Sequence, residues 1–190
     1  MRIITGSARG CRLKTPKGQA TRPTSDRVKE SLFNIIGQKV SGRHVLDIFA
    51  GTGNLGLEAL SRGAADACFV DQATAALIKE NAAHAHLLEH AEVHGGDVFA
   101  ELSRFARAGR SFDLIFCDPP YHKGLFEQAL VFFDESQVLA HDGILVVEHG
   151  ADENDMPELS CLCCVLNRRY GHTTQLSFFQ RKAYLEEDDL

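Results

Sequence analysis

The chain has no run of eighteen apolar residues, the length an apolar helix needs to cross a bilayer, so no membrane-spanning helix is expected. Its opening residues, Met1-Arg2-Ile3-Ile4-Thr5-Gly6-Ser7, lack the apolar core of a secretory signal, which leaves a cytoplasmic location as the expectation. Only one Cys-x-x-Cys spacing occurs among the six cysteines, Cys161 to Cys164, with no second such pair to complete a four-thiolate site. Cys161, Cys163 and Cys164 fall in an apolar, strand-like stretch, so buried reduced thiols are expected in place of disulfides or structural zinc. His86 and His90 stand four apart with no third ligand in sight, and no metal is expected. There is no internal repeat. At 190 residues and 44% hydrophobic, the chain has enough apolar side chains for one well-packed domain.

Charge is distributed unevenly. Residues 1–43 hold ten Lys/Arg against Asp26 and Glu30, a net of +8, whereas the remainder carries a net of −14. A basic arm on an acidic body suits a polyanion held at one edge. Within the arm, Arg2–Thr5 and Cys11–Thr15 alternate and are separated by Gly6 and Gly10, which predicts a hairpin. Residues 16–23 form a polar connector. Thr24 or Ser25 can cap a helix through Val28, Leu32 and Ile36, with Gly37 as its stop.

Beyond the arm the chain alternates strand and helix. Strands are expected at Val45–Phe49, Ala67–Val70, Glu92–His94, Leu114–Cys117 and Ile144–Glu148, the last after an Asp142-Gly143 turn. The intervening helices are expected at Leu55–Ser61, Ala73 to about Leu88, Phe99–Ala108 and Phe126–Phe133. Cys161–Leu166 and Thr174–Phe179 read as a closing antiparallel hairpin. Strands spaced by helices imply an α/β fold with a mostly parallel sheet. The division expected is a basic hairpin and connector at 1–23, a catalytic domain at 24–184 and a disordered acidic tail at 185–190.

Two segments carry chemistry. The first, Asp47-Ile48-Phe49-Ala50-Gly51-Thr52-Gly53-Asn54-Leu55-Gly56, runs from a strand into a helix, and Gly51–Gly56 matches the dinucleotide fingerprint with Asp71 twenty residues on. Asp47 would put a carboxylate near that loop, which favours a cationic ligand over a pyrophosphate. Asp71 can accept from ribose hydroxyls in either case. Asp97, with Val98 beside it, ends the third strand; it can bind the ligand or simply cap the following helix. The second segment is Asp118-Pro119-Pro120-Tyr121, at the end of the apolar run Phe112–Cys117. Two prolines forbid both helix and ladder pairing, so the chain leaves the sheet as a stiff turn. That turn presents a carboxylate, a free carbonyl and an aromatic face at a strand's carboxyl end, where open α/β sheets bind ligands. Cys117, one residue earlier, points the opposite way into the core.

Asp118–Tyr121 resembles the Asp/Asn-Pro-Pro-aromatic motif of methyltransferases that modify exocyclic amines with S-adenosylmethionine. With Arg2–Gly6, Thr21–Arg27, Leu46–Gly53, Glu58–Ala64 and Arg169-Tyr170-Gly171, the whole chain is similar to the RsmD-type family of bacterial 16S rRNA guanine-N2 methyltransferases. The resemblance implies a Rossmann-like class I fold with a seven-stranded sheet, S-adenosylmethionine as cofactor and 16S rRNA as partner, the protein acting as a monomer. It implies cofactor contacts from Asp47, Gly51, Gly53, Asp71, Asp97 and Val98, with Asp97 accepting from the adenine amine. Asp118 and the Pro119 carbonyl would orient the target amine and Tyr121 would stack on the base. Arg2, Arg9, Arg22 and Arg27 are the candidate phosphate contacts. The residues alone leave open an amine methyltransferase acting on DNA adenine or cytosine or on a protein glutamine. A non-catalytic RNA-binding module is disfavoured by the intact Asp118–Tyr121 turn.

Overall fold

Parallel strands cannot be joined by tight turns, so the helices between the apolar runs serve as crossovers. In the computed structural model, which describes residues 1–16, 26–153 and 156–188, the chain divides into two compact units, Met1–Val98 and Phe99–Leu190. In the first unit β1 (His44–Ile48), β2 (Asp66–Val70) and β3 (Ala91–His94) run parallel, with Leu46 opposite Cys68 and Cys68 opposite Glu92. They are linked through α2 (Asn54–Ser61) and α3 (Ala75–His84), while α1 (Asp26–Ile36) precedes β1. Every residue of α2 is buried, which explains why its sequence shows no amphipathic stripe. Phe69 of β2 packs against it at Gly56, and Val45, Ile48, Leu57, Val70 and Ile78 are fully enclosed in the same unit.

Two expectations change here. The N-terminal hairpin reduces to one antiparallel bridge, Arg2 to Arg12, with Ile3 N donating to Cys11 O at 2.9 Å and Gly10 N to Ile3 O at 2.8 Å. α3 stops at His84, not Leu88, because His86 takes a left-handed φ of 58° and Leu87 N turns back to Ala82 O at 2.9 Å. That is a Schellman closure built on a residue other than glycine. The capping expectation at Thr24 and Ser25 lies outside the described residues.

The second unit holds β4 (Phe112–Cys117), β5 (Leu139–Gly150), β6 (Leu162–Tyr170) and β7 (Thr174–Arg181), with α4 (Val98–Arg107) leading in and α5 (Leu125–Glu135) and α6 (Lys182–Asp188) following β4 and β7. β4 and β5 are parallel, and β5–β7 and β7–β6 are antiparallel. The seven strands form one sheet in the order β3-β2-β1-β4-β5-β7-β6. β5 starts at Leu139, earlier than expected, and absorbs Asp142-Gly143 as a register shift: Phe112 pairs with Leu139 and Leu114 with Ile144.

Two further expectations fail. Of the six cysteines, all free, only Cys68 and Cys117 are buried, and Cys161 and Cys164 are exposed. The reason is topological: β6 is an edge strand with Leu162 as its only buried residue. Glu186 and Glu187, expected in a disordered tail, lie in α6, while residues 189–190 lie outside the described residues. No helix among the described residues is long and apolar enough to cross a membrane.

Candidate functional site

The chain leaves β1 through three left-handed residues, Phe49 (φ 56°), Gly51 (φ 56°) and Gly53 (φ 78°), the last directly before α2. A bulky residue in that region is strained, a feature that collects at functional turns. Close packing also limits residue choice here. A Cβ on Gly56 would sit 2.3 Å from the Phe69 ring, so the last glycine lets α2 lie against β2.

Two acids bear on this loop. Asp71, at the end of β2, accepts from Gly51 N on Oδ2 at 2.9 Å, and from Ala73 N and Thr74 N on Oδ1 at 2.8 and 2.9 Å. It thereby ties the loop to the start of α3. Asp47, 2% exposed, accepts from Gly56 N at 2.8 Å inside the first turn of α2. Burial lifts its carboxyl from 3.8 to about 8; the Gly56 hydrogen bond opposes the rise and the Asp71 charge adds to it. Because the folded value lies above the unfolded one, the stability Asp47 contributes is complete below its unfolded value of 3.8 and is lost as pH climbs to about 8. Asp47→Asn should therefore flatten the decline of the urea midpoint over that range. Superimposable pH profiles for the two proteins would rule out a buried proton at this position. Asp97 is exposed, immediately ahead of α4, and Val98 is the buried first residue of that helix.

The arm is fastened to α2 by a buried polar network that sequence reading missed. Glu58 Oε2 and Oε1 accept from Ile4 N at 2.7 Å and Thr5 N at 3.0 Å, and Arg62 Nε donates to the same carboxylate at 2.8 Å. Lys29 Nζ, with a fully buried side chain, lies 3.2 Å from Glu58 and donates to Arg2 O at 2.6 Å and Asn54 Oδ1 at 2.7 Å. Burial pushes the Lys29 amine down, and the Glu58 carboxylate opposes this. Ser7 N donates to Ser61 O, and a Cβ on Gly6 would meet that oxygen at 1.7 Å, so only glycine permits the approach. On the other side Asn81 joins Lys14 of the arm to the Thr52 carbonyl of the glycine loop. A lysine on the apolar stripe of α1 and a glutamate inside a buried helix were the available signals. Of the candidate phosphate contacts, Arg2, Arg9 and Arg27 are exposed, Arg2 paired with Asp26 at 3.2 Å, and Arg22 lies outside the described residues.

In the second unit Asp118 is half-buried and Pro119 buried as the chain leaves β4. Tyr121 donates its hydroxyl to Glu148 of β5 at 3.0 Å and stands 3.5 Å from Thr174 of β7. Burial raises the phenol's pKa, as does the Glu148 charge, so Tyr121 stays a donor. His122 is exposed, has a left-handed φ of 59°, and its N–H donates to Glu153 at 2.7 Å. Glu153 also accepts from Gly150 N, which clasps the turn to the end of β5. Glu148, Thr174 and Glu153 escaped the sequence reading because only the fold brings them to Tyr121 and His122. The exposed His86 and His90 take no part in the one cluster of potential metal ligands among the described residues, Cys68, Glu92 and His94 on β2 and β3.

A family model described as Conserved hypothetical protein 95 matches residues 1–180. The YlbH protein of Bacillus subtilis (strain 168) is 44% identical over 91% of this chain and 95% of its own. The protein named Ribosomal RNA small subunit methyltransferase D of Escherichia coli (strain K12) is 33% identical over 99% and 93%. The solved structure of yhhF from Escherichia coli superposes with a TM-score of 0.83 at 33% identity, covering 96% of this chain and 98% of that one. A single pattern therefore runs from the arm through both chemical segments to the closing hairpin, and the chain belongs to the Conserved hypothetical protein 95 family, that of the RsmD-type methyltransferases.

Proposed function

We propose that this chain transfers a methyl group from S-adenosylmethionine to the exocyclic N2 amine of a guanine in 16S rRNA. The observation that carries the reading is the Asp118-Pro119-Pro120-Tyr121 turn, its aromatic hydroxyl held by a buried carboxylate, in a member of this family.

The donor set at the glycine loop suits this cofactor better than a dinucleotide. Asp71 sets a carboxylate beside the loop and already accepts from Gly51 N, so a pyrophosphate would meet like charge and one donor fewer. A sulfonium and ribose hydroxyls meet acceptors instead. Asp71 keeps a lone pair on Oδ2 for a ribose hydroxyl, Asp97 and Val98 take the adenine edge, and Asp47 with the Gly51–Gly53 turn lines the sulfonium side. When bound, the cofactor supplies an electrophilic methyl carbon.

The chain's own residues do the rest. A guanine amine is a poor nucleophile because its lone pair is delocalised into the ring. Asp118 and the Pro119 carbonyl accept its two hydrogens, draw the nitrogen toward tetrahedral geometry and aim the lone pair. The same acceptors favour the positive charge that develops on nitrogen. Tyr121 stacks on the base, which enters unpaired or flipped, and the bond to Glu148 keeps the ring from swinging away. The methylated amine is acidic enough to release its proton to solvent without a dedicated base. Arg2, Arg9, Arg22 and Arg27 grip phosphates from the basic segment at 1–23 and the start of a methyltransferase domain at 24–184. The protein works as a cytoplasmic monomer on 16S rRNA or on the assembling small subunit.

Nucleoside mass spectrometry of small-subunit rRNA from cells with and without the protein tests this. N2-methylguanosine should fall by one residue per rRNA in its absence and return when the purified protein is added with S-adenosylmethionine. Methylation of DNA adenine or cytosine, or of a protein glutamine, with unmodified rRNA would overturn the guanine assignment.

A further inference from the structure

From Leu159 to Leu185 the chain has no Asp or Glu, although residues 99–190 as a whole hold sixteen acids against eight bases. Four bases lie in that acid-free stretch, and two have structural tasks. Arg181 donates to the Leu139 and Ser136 carbonyls and Lys182 to that of Leu159. Arg168 and Arg169, on the edge strand β6, are exposed and form no ion pair among the described residues.

The register separates these two. Tyr170 opposes Thr174 and Arg168 opposes Leu176 on β7, while Thr174 and Leu176 oppose Gly150 and Glu148 on β5. Residues directly opposite each other project from the same face. Arg168 and Tyr170 therefore share a face with Glu148 and Thr174, the residues next to the Tyr121 hydroxyl. Arg169 opposes Gln175, itself opposite His149, and projects from the other face. Arg168 is two strand spacings from Glu148, about 10 Å, a distance suited to the nucleotide beside a base stacked on Tyr121.

We propose that this face of β6 is a second RNA-contact surface, with Arg168 on a phosphate and Tyr170 against the base of the nucleotide flanking the target; it rests on the RNA-methylation reading above. Single-stranded RNA is gripped by this combination of a cation on the backbone and an aromatic face on a base.

The test uses the full-length protein, labelled S-adenosylmethionine and, as RNA substrate, protein-free 16S rRNA alongside small subunits from cells lacking the protein. Arg168→Glu should raise the KM for RNA on the order of tenfold, with kcat and S-adenosylhomocysteine affinity unchanged. It should also lower the slope of log affinity against log salt by about 0.7 for the lost contact. Arg168→Lys should keep that slope, and Arg169→Glu, the same charge change on the opposite face, should stay near wild type. Equal effects from the two reversals, or none from Arg168→Glu in a preparation whose wild type methylates the RNA, would overturn the surface and leave the activity standing. A wild type that methylates neither the protein-free rRNA nor the unmethylated small subunits would overturn both. Arg168→Gln serves in place of Arg168→Glu should the latter show an altered melting curve.

Discussion

Asp118→Ala is expected to cut single-turnover methylation on the order of 100- to 1000-fold, the usual cost of deleting one prepositioned electrostatic partner. S-adenosylhomocysteine affinity should stay near that of the wild type. The turn itself should survive the change. Leu114–Cys117 are buried in β4, and the two prolines that follow fix their own φ whatever side chain precedes them. What disappears is one of the two acceptors proposed to fix the direction of the amine lone pair. The Pro119 carbonyl, a backbone group, remains. The amine then keeps a single anchor and samples orientations in which the lone pair misses the methyl carbon. Asp118→Asn should fall between wild type and alanine, since the amide oxygen still accepts but carries no charge to favour the developing cation. Calorimetric titration with S-adenosylhomocysteine separates binding from chemistry. Equal single-turnover rates for wild type and Asp118→Ala would remove the residue from the reaction.

The parts of this site that could be read from sequence are those in which one short segment supplies both the strand and its chemistry. Apolar runs ending in Gly51-Thr52-Gly53 and in Asp118-Pro119-Pro120-Tyr121 mark strand ends, because glycine and proline leave the backbone few alternatives. Residues that act through partners distant in sequence were hidden. Tyr121 meets Glu148 and Thr174 across 27 and 53 positions, and nothing local to any of the three indicates the pairing. Exposure depends on strand order in the same way. Cys161 and Cys164 look buried until β6 is found at the sheet edge. α3 ended early because His86, with no local signal, took a conformation usually reserved for glycine. Lys29 and Glu58 differ, since each is a charge set among residues that must be buried, and their opposite sign is the one local signal of a pairing that was nonetheless missed.

Glu58→Ala is expected to lower stability by about 3–5 kcal/mol, the range for breaking a buried ion pair from one side. The carboxylate has four partners: the Ile4 and Thr5 amides at 2.7 and 3.0 Å, Arg62 Nε at 2.8 Å and Lys29 Nζ at 3.2 Å. Arg62 is partly exposed and can turn to water, but Lys29 cannot, since its side chain is wholly enclosed. It would be left with two neutral acceptors, the Arg2 carbonyl and Asn54, and only the charge of Asp26, already paired with Arg2, to offset its own. The arm should loosen as well, because residues 4 and 5 lose the acceptor that holds their backbone against α2. Hydrogen exchange at Ile4 and Thr5 should accelerate more than at the β1 amides. Lys29→Met combined with Glu58→Ala should be more stable than Glu58→Ala alone, since it removes the stranded charge, yet it should not restore protection at Ile4 and Thr5. Urea denaturation together with exchange distinguishes these effects. If Glu58→Ala matches wild type in both, the arm is held elsewhere. If protection at Ile4 and Thr5 falls as expected, RNA affinity should fall with it, because Arg2 and Arg9 lie on the segment that Glu58 fixes, while affinity for S-adenosylhomocysteine, whose proposed contacts are Asp71 and the glycine loop, should be retained.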